Sequence, residues 1–192
     1  MYTDVRVNGS IEVATNGVTL RRVEVIGGVI NNRQGSACRA GLILEQVSVI
    51  QPAGAHVNTG GDGAIGPGGY TARRVKIEDR VEGFRVGGHS DAGCGTTTIV
   101  DSYAHVTPPQ PCGDWHGDGI QVYDGPPLVA RNVTLWLDEK GGCGGTAPYF
   151  QAGAQFGNAP PDIDGMLVRG GGYSFRLLMA GSVRNLHVVD GS

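Results

Sequence analysis

The chain has little of what usually gives a function away. Charged residues make up 17% and aromatics 6% of its 192 residues, and the net charge of -3, with basic residues scattered, leaves no electrostatic footprint for nucleic acid and no polybasic membrane anchor. No run approaches the roughly 20 apolar residues that a membrane helix needs. Met1-Tyr-Thr-Asp4 has neither the basic n-region nor the apolar h-region of a signal peptide. None of the four cysteines belongs to a C-x-x-C pair, which argues against zinc. No window carries a sustained i, i+3, i+4, i+7 apolar stripe with caps, so no substantial helix is expected.

Glycine, by contrast, is abundant: 34 residues, against a usual share of about 7%. With 40% hydrophobic residues alongside, this describes a folded chain with many tight turns, not a disordered one. Cys38, Cys94, Cys112 and Cys143 all lie in Gly-rich loops. An even set of loop cysteines points to two disulfides and an extracellular, secreted protein; four free thiols are the alternative. Residues 1–192 read as a single domain.

The strongest signal is an internal repeat. Seven segments share the pattern apolar-x-x-apolar-x-apolar: LRRVEV from Leu20, LEQVSV from Leu44, ARRVKI from Ala72, IVDSYA from Ile99, ARNVTL from Ala130, IDGMLV from Ile163 and VRNLHV from Val183. Their central positions are Val23, Val47, Val75, Ser102, Val133, Met166 and Leu186, spaced by about 20 to 35 residues. The last three residues of each alternate in, out, in, as strands do, and the two before them are mostly polar, which marks a bend. Between the segments lies a second column of short strands, with Ala64, Phe84, Ile120, Phe150 and Phe175 expected to point inward. Short strands at this period, with variable Gly/Pro loops, describe an all-β parallel solenoid.

The pattern, with VTLRRVEV (Val18 to Val25) and the strand His116-Gly-Asp-Gly-Ile-Gln121, resembles the right-handed parallel β-helix superfamily of pectate-lyase-like, secreted bacterial proteins. The resemblance implies a right-handed parallel β-helix, a single-stranded solenoid of about seven rungs, spanning nearly the whole chain. Neither end shows a cap, which implies a fragment, an unusual small solenoid, or a homo-oligomer formed through the uncapped ends. The repeat register favours a Cys112–Cys143 bridge and leaves Cys38 with Cys94.

In this register the outward residues of the second column are Ile65, Arg85, Gln121, Gln151 and Arg176, with Tyr123 two positions beyond Gln121. Such a strip suits an extended acidic glycan: arginines pair with uronate carboxylates and an aromatic ring stacks on a sugar. The stretch CGDWHGDGIQVYD, Cys112 to Asp124, enters this column, and a second pair, His89 and Asp91, leaves the neighbouring one. For a polysaccharide lyase the expected base is His116, the carboxylate neutraliser Arg85 or Arg176, and Asp118 orients the histidine or, with Asp114, holds Ca²⁺. Gln121, Tyr123, Gln151, Arg176, His89 and Asp91 would bind substrate. For a glycoside hydrolase, Asp118 with Glu82, its register partner, or with Asp114 would form the acid and base pair. A non-catalytic, tailspike-like glycan-binding protein is the reading from another class. The plainer alternative is that an exposed strand face is simply polar, with Asp118-Gly119 a turn and His116 a loop residue. Gly61-Asp-Gly-Ala-Ile-Gly66 spells a dinucleotide fingerprint, but no helix pattern follows it.

Overall fold

The structure is a computed structural model that describes residues 1–54, 63–87, 93–139, 143–151, 153 and 157–189. The described residues are all-β, with no helix among them. The strands are β1 (Tyr2–Glu12), β2 (Thr19–Asn31), β3 (Arg33–Gln34), β4 (Ala37–Cys38), β5 (Leu42–Glu45), β6 (Ser48–Ile50), β7 (Ile65–Gly66), β8 (Tyr70–Arg73) and β9 (Lys76–Arg80). They continue with β10 (Phe84–Gly87), β11 (Thr97–Val106), β12 (Asp118–Tyr123), β13 (Leu128–Leu137), β14 (Ala147–Gln151), β15 (Asp162–Gly170), β16 (Phe175–Leu177) and β17 (Ser182–Val188). All pair in parallel except the small β3–β4 hairpin.

The seven repeat segments lie side by side in one register. Val23 aligns with Val5, Ser102 with Val133, Val133 with Met166, and Met166 with Leu186. Inward residues form apolar rows such as Leu20, Leu44, Ala72, Ile99, Ala130 and Ile163, all essentially fully buried. Ser102 is the polar member of its row, and its hydroxyl is satisfied there: Oγ accepts from the Val75 N–H at 3.1 Å and donates to the Val100 carbonyl at 2.8 Å.

Beside each central position the backbone turns through the left-handed region. Asp4, Arg22, Gln46, Arg74, Asp101, Asn132 and Asn185 have φ between 50° and 57°, and Gly165 has φ 72°. The polar pair in each repeat is therefore the corner of a bent strand. Strands β2 and β11 run unbroken through it, whereas the two segments between them divide there into β5 and β6, and into β8 and β9. The pairing consequently returns on itself, β2–β5–β8–β11–β9–β6–β2, as a closed ring of six parallel strands.

The remaining strands lie outside that ring. Strand β1 pairs with β2; β13, β15 and β17 follow one another from β11; and β7, β10, β12, β14 and β16 extend from the far end of β2. This closure corrects the expected right-handed parallel β-helix of about seven stacked rungs, and with it the likeness to the pectate-lyase-like superfamily. Alternation along a strand and register between strands look the same in both architectures, so the repeat alone does not separate them. The reason for expecting oligomerisation through uncapped solenoid ends goes with the rungs.

Both expected disulfides are present. Cys38 and Cys94 have Cα atoms 5.1 Å apart, and Cys112 and Cys143 5.8 Å. Two bridges in a chain with no free cysteine are compatible with an oxidising, extracellular setting.

Candidate functional site

The site is built on β10, β12, β14 and β16. Phe84, Ile120, Tyr149 and Phe175 are register partners facing the core, so the residues after them face out together: Arg85, Gln121, Phe150 and Arg176. Next to Arg85 on its other side is Gly66, because Ile65 pairs with Phe84. A Cβ at Gly66 would come within 2.6 Å of the Arg85 Cβ, so only glycine leaves room for that side chain.

This row differs from the expected one by a slip of one residue in β14 and β7. Phe150 stands where Gln151 was expected, and Ile65, expected to face out, is the register partner of Phe84 in the core, where Ala64 is buried as well. Gln151, expected to bind substrate, is fully buried and so does not face the groove. Its Oε1 accepts from the Tyr149 hydroxyl at 2.5 Å, and its Nε2 donates to the Ala159 carbonyl at 3.0 Å. Tyr149 takes the inward position because Gln151 satisfies its hydroxyl there and Phe175 stacks on its ring, 4.7 Å between centroids. Arg176 is held over Phe150 at 5.2 Å and over Tyr173 at 4.5 Å, so its charge lies on an aromatic platform.

The loop leading into β12 forms the other wall. The Cys112–Cys143 bridge ties its start. Trp115 Nε1 donates to the Val81 carbonyl at 3.0 Å, and the Gly117 carbonyl accepts from Thr146 N–H at 2.9 Å. Gly117 faces the Trp115 ring so closely that a Cβ there would overlap it. Held at these points, the loop presents His116, whose side chain is 71% exposed, with Nε2 at 3.1 Å from Asp114 Oδ1. The carboxylate that contacts His116 is therefore Asp114, whereas Asp118 was expected there.

Two adjoining hollows result. One, of about 550 Å³, is lined by Glu82, Arg85, Trp115, His116 and Gln121 among others. The second, of about 370 Å³, is lined by Arg85, His116, Gln121, Tyr123, Phe150 and Arg176, with Thr146. Arg85, His116 and Gln121 line both, so the two form one groove. Of the residues singled out from sequence, Arg85, His116, Gln121, Tyr123 and Arg176 meet here. His89 and Asp91 lie outside the described residues.

Beneath the groove is a pair of carboxyls. Strand β12 continues its pairing one step back, where Gly83 N–H donates to the Asp118 carbonyl at 2.9 Å, which makes Glu82 and Asp118 neighbours on adjacent chains. Asp118 is 0% exposed and Glu82 8%. Asp118 Oδ1 accepts from Ala147 N–H at 3.0 Å, while Oδ2 is buried without a hydrogen-bond partner. Burial pushes the Asp118 carboxyl up to about 7, against the Ala147 N–H and the pull of Arg85, Gln121 and Arg176. Burial and then the charge of Asp118 push Glu82 well above the ordinary carboxylate range, against Arg85 and the Asp118 N–H.

A cation fits these residues poorly. Asp118 is fully buried and protonates near neutrality, whereas the Asp114 side chain is 96% exposed, so the two do not present themselves to one Ca²⁺. A different His–carboxylate group lies on β9, β11 and the end of β13. His105 Nδ1 is 3.3 Å from Asp79 Oδ1 and 3.5 Å from Glu78 Oε1, and Nε2 is 3.3 Å from Asp138 Oδ2. Sequence reading missed this group and also missed Trp115 as the anchor of the loop. The hint was present in Trp136, which lies in register with His105 and carries Arg169 over its ring at 4.4 Å.

Compared with protein-family models, with curated proteins and with solved structures, the chain finds no match in any of the three.

Proposed function

We propose that this groove binds an extended, uronate-containing polysaccharide outside the cell and cleaves it by β-elimination. The observation that carries the reading is that Arg85, His116 and Gln121 line both halves of one groove. A base, a fixed cation and an amide thus border the same space, with Arg176 and Tyr123 further along it.

The chemistry follows from those positions. A uronate has an acidic C5–H only when its carboxylate charge is offset, and Arg85 supplies a cation that gives a paired, directional contact to a carboxylate. With Nε2–H directed at Asp114, the neutral imidazole of His116 leaves Nδ1 to take the C5 proton. The C5 electron pair becomes the C4=C5 double bond, the C4–O bond breaks, and the departing oxygen takes up a proton. Gln121 and Tyr123 contact hydroxyls and a sugar face.

Hydrolysis is a second reading because Glu82 and Asp118 are neighbours across a strand spacing of about 4.8 Å, near the ~5–5.5 Å separation of retaining glycosidases. The full burial of Asp118 speaks against its attacking a sugar carbon.

The test is incubation with alginate, pectate and glycosaminoglycans, monitored by the ultraviolet absorbance of the unsaturated uronate end. Absorbance should grow with one of them, and His116→Ala should abolish it with glycan binding retained. Binding without any product would leave a glycan-binding protein; new reducing ends without the absorbance would leave a hydrolase. Either result overturns the elimination reading.

A further inference from the structure

The elimination described above leaves one need unmet: a proton for the departing glycosidic oxygen. His116 has just gained one as base, and Arg85 and Arg176 are occupied as cations. The floor of the groove offers a different group. Glu82 and Asp118 are adjacent, both buried, and only Glu82 reaches the groove wall. Two carboxylates this close and this dry cannot both ionise without a large cost in Coulomb and desolvation energy, so one proton is retained between them.

We infer that Glu82, backed by Asp118, is the catalytic acid of the groove and gives its proton to the oxygen leaving C4. The inference rests on the elimination reading. Atoms and charges balance: His116 takes the C5 proton, the C5 electrons form the double bond, the C4–O bond breaks, and the freed oxygen takes the proton from Glu82. The pair is then doubly ionised beside Arg85, which makes recapture of a proton from water favourable, and His116 returns its own proton to solvent. The groups that face the pair all favour its ionised form: Arg85 at both carboxyls, Arg176, Gln121 and the Ala147 N–H at Asp118, and the Asp118 N–H at Glu82. Burial outweighs them.

Two measurements on the intact protein test this. In infrared spectra, a protonated-carboxyl stretch should persist at neutral pH in the wild type and vanish in the Glu82→Gln, Asp118→Asn double variant; absence of that band in the wild type overturns the inference whatever the activity. The second compares leaving groups. Glu82→Gln should lower the rate on the polysaccharide by about 10²- to 10⁴-fold, with binding kept. On a uronide with a nitrophenoxy group at C4, which departs as the phenoxide without protonation, the loss should stay below about tenfold. His116→Ala should lose activity on both. Equal slowing of both substrates by Glu82→Gln would mark it as a positioning residue only, and no slowing would dismiss it. A wild-type protein that performs no elimination on any glycan would sink the reading beneath, and the donor role with it.

Discussion

Asp4 and Asp118 carry the same side chain in opposite circumstances. Asp4 lies on the exposed corner of β1, where Arg22 Nε and Nη2 donate to its two oxygens at 2.6 and 2.7 Å and hold its carboxyl at about 2. Asp118 lies below the groove, has one backbone donor, and is pushed up to about 7 by its burial. Partnered surface carboxyls recur along the bent strands: the Arg131 guanidinium, helped by Arg184, holds Asp162 low, and Asn185, again helped by Arg184, does the same for Asp164. The contrast separates carboxyls that serve the surface of the fold from carboxyls kept in reserve. Water and an arginine make an acid that is always ionised; burial makes one that still has a proton to give.

The sharpest way to break this comparison is to follow stability with pH. Asp118 binds a proton more tightly folded than unfolded, so its contribution is fully present below its unfolded value near 3.8 and is lost as pH rises through about 7. Denaturant midpoints should therefore fall between about pH 4 and pH 7 by the equivalent of a few kcal/mol, and the Glu82→Gln, Asp118→Asn variant should remove most of that slope. A wild-type midpoint that does not fall over this range would place the pair with the ionised surface acids. Next in size is Gln151→Leu, which orphans the buried Tyr149 hydroxyl and should cost about 1–3 kcal/mol in the same experiment while leaving glycan affinity unchanged. Weakened glycan binding at preserved stability would return Gln151 to the groove.

Arg85→Met should act more gently on the proton. With its pull gone, the carboxyl band should persist to a pH higher by on the order of one unit, measured by infrared titration. The smallest effect is expected at the exposed corner. Above pH 5, Asp4→Asn should leave the denaturant midpoint within experimental scatter of the wild type, because exposed ion pairs contribute little. A clear loss there would mean that the corner pairs hold the fold after all.

Much of this could be read from residue order. Inward alternation and polar corners were legible at Val23, Val47 and Val133 because burial imposes a period of two on any half-buried strand. The two disulfides were legible through the register, as was the pairing of Glu82 with Asp118. The closed ring was not, since it depends on β2 and β11 staying unbroken at the corner where the two segments between them divide. Nor was the placement of Gln151: Phe150 is the more apolar residue of Tyr-Phe-Gln, and only the hydrogen bond between the Tyr149 hydroxyl and Gln151 reverses the expected facing. His105 and its carboxylates were hidden for another reason. They come from three strands, and no local spacing joins them.

The left-handed corner also bears on how far this protein could be improved. A residue with a Cβ in that conformation costs about 1–2 kcal/mol relative to its preferred state, and asparagine or glycine tolerates it best. Asn132, Asn185 and Gly165 already comply, whereas Arg22, Gln46 and Arg74 do not. Arg22 and Arg74 have carboxylate partners in return, at Asp4 and Glu45. Gln46, whose N–H bonds to Arg73 as that of any residue there would, is thus the corner where an engineer seeking a hardier scaffold would begin, with glycine as the replacement.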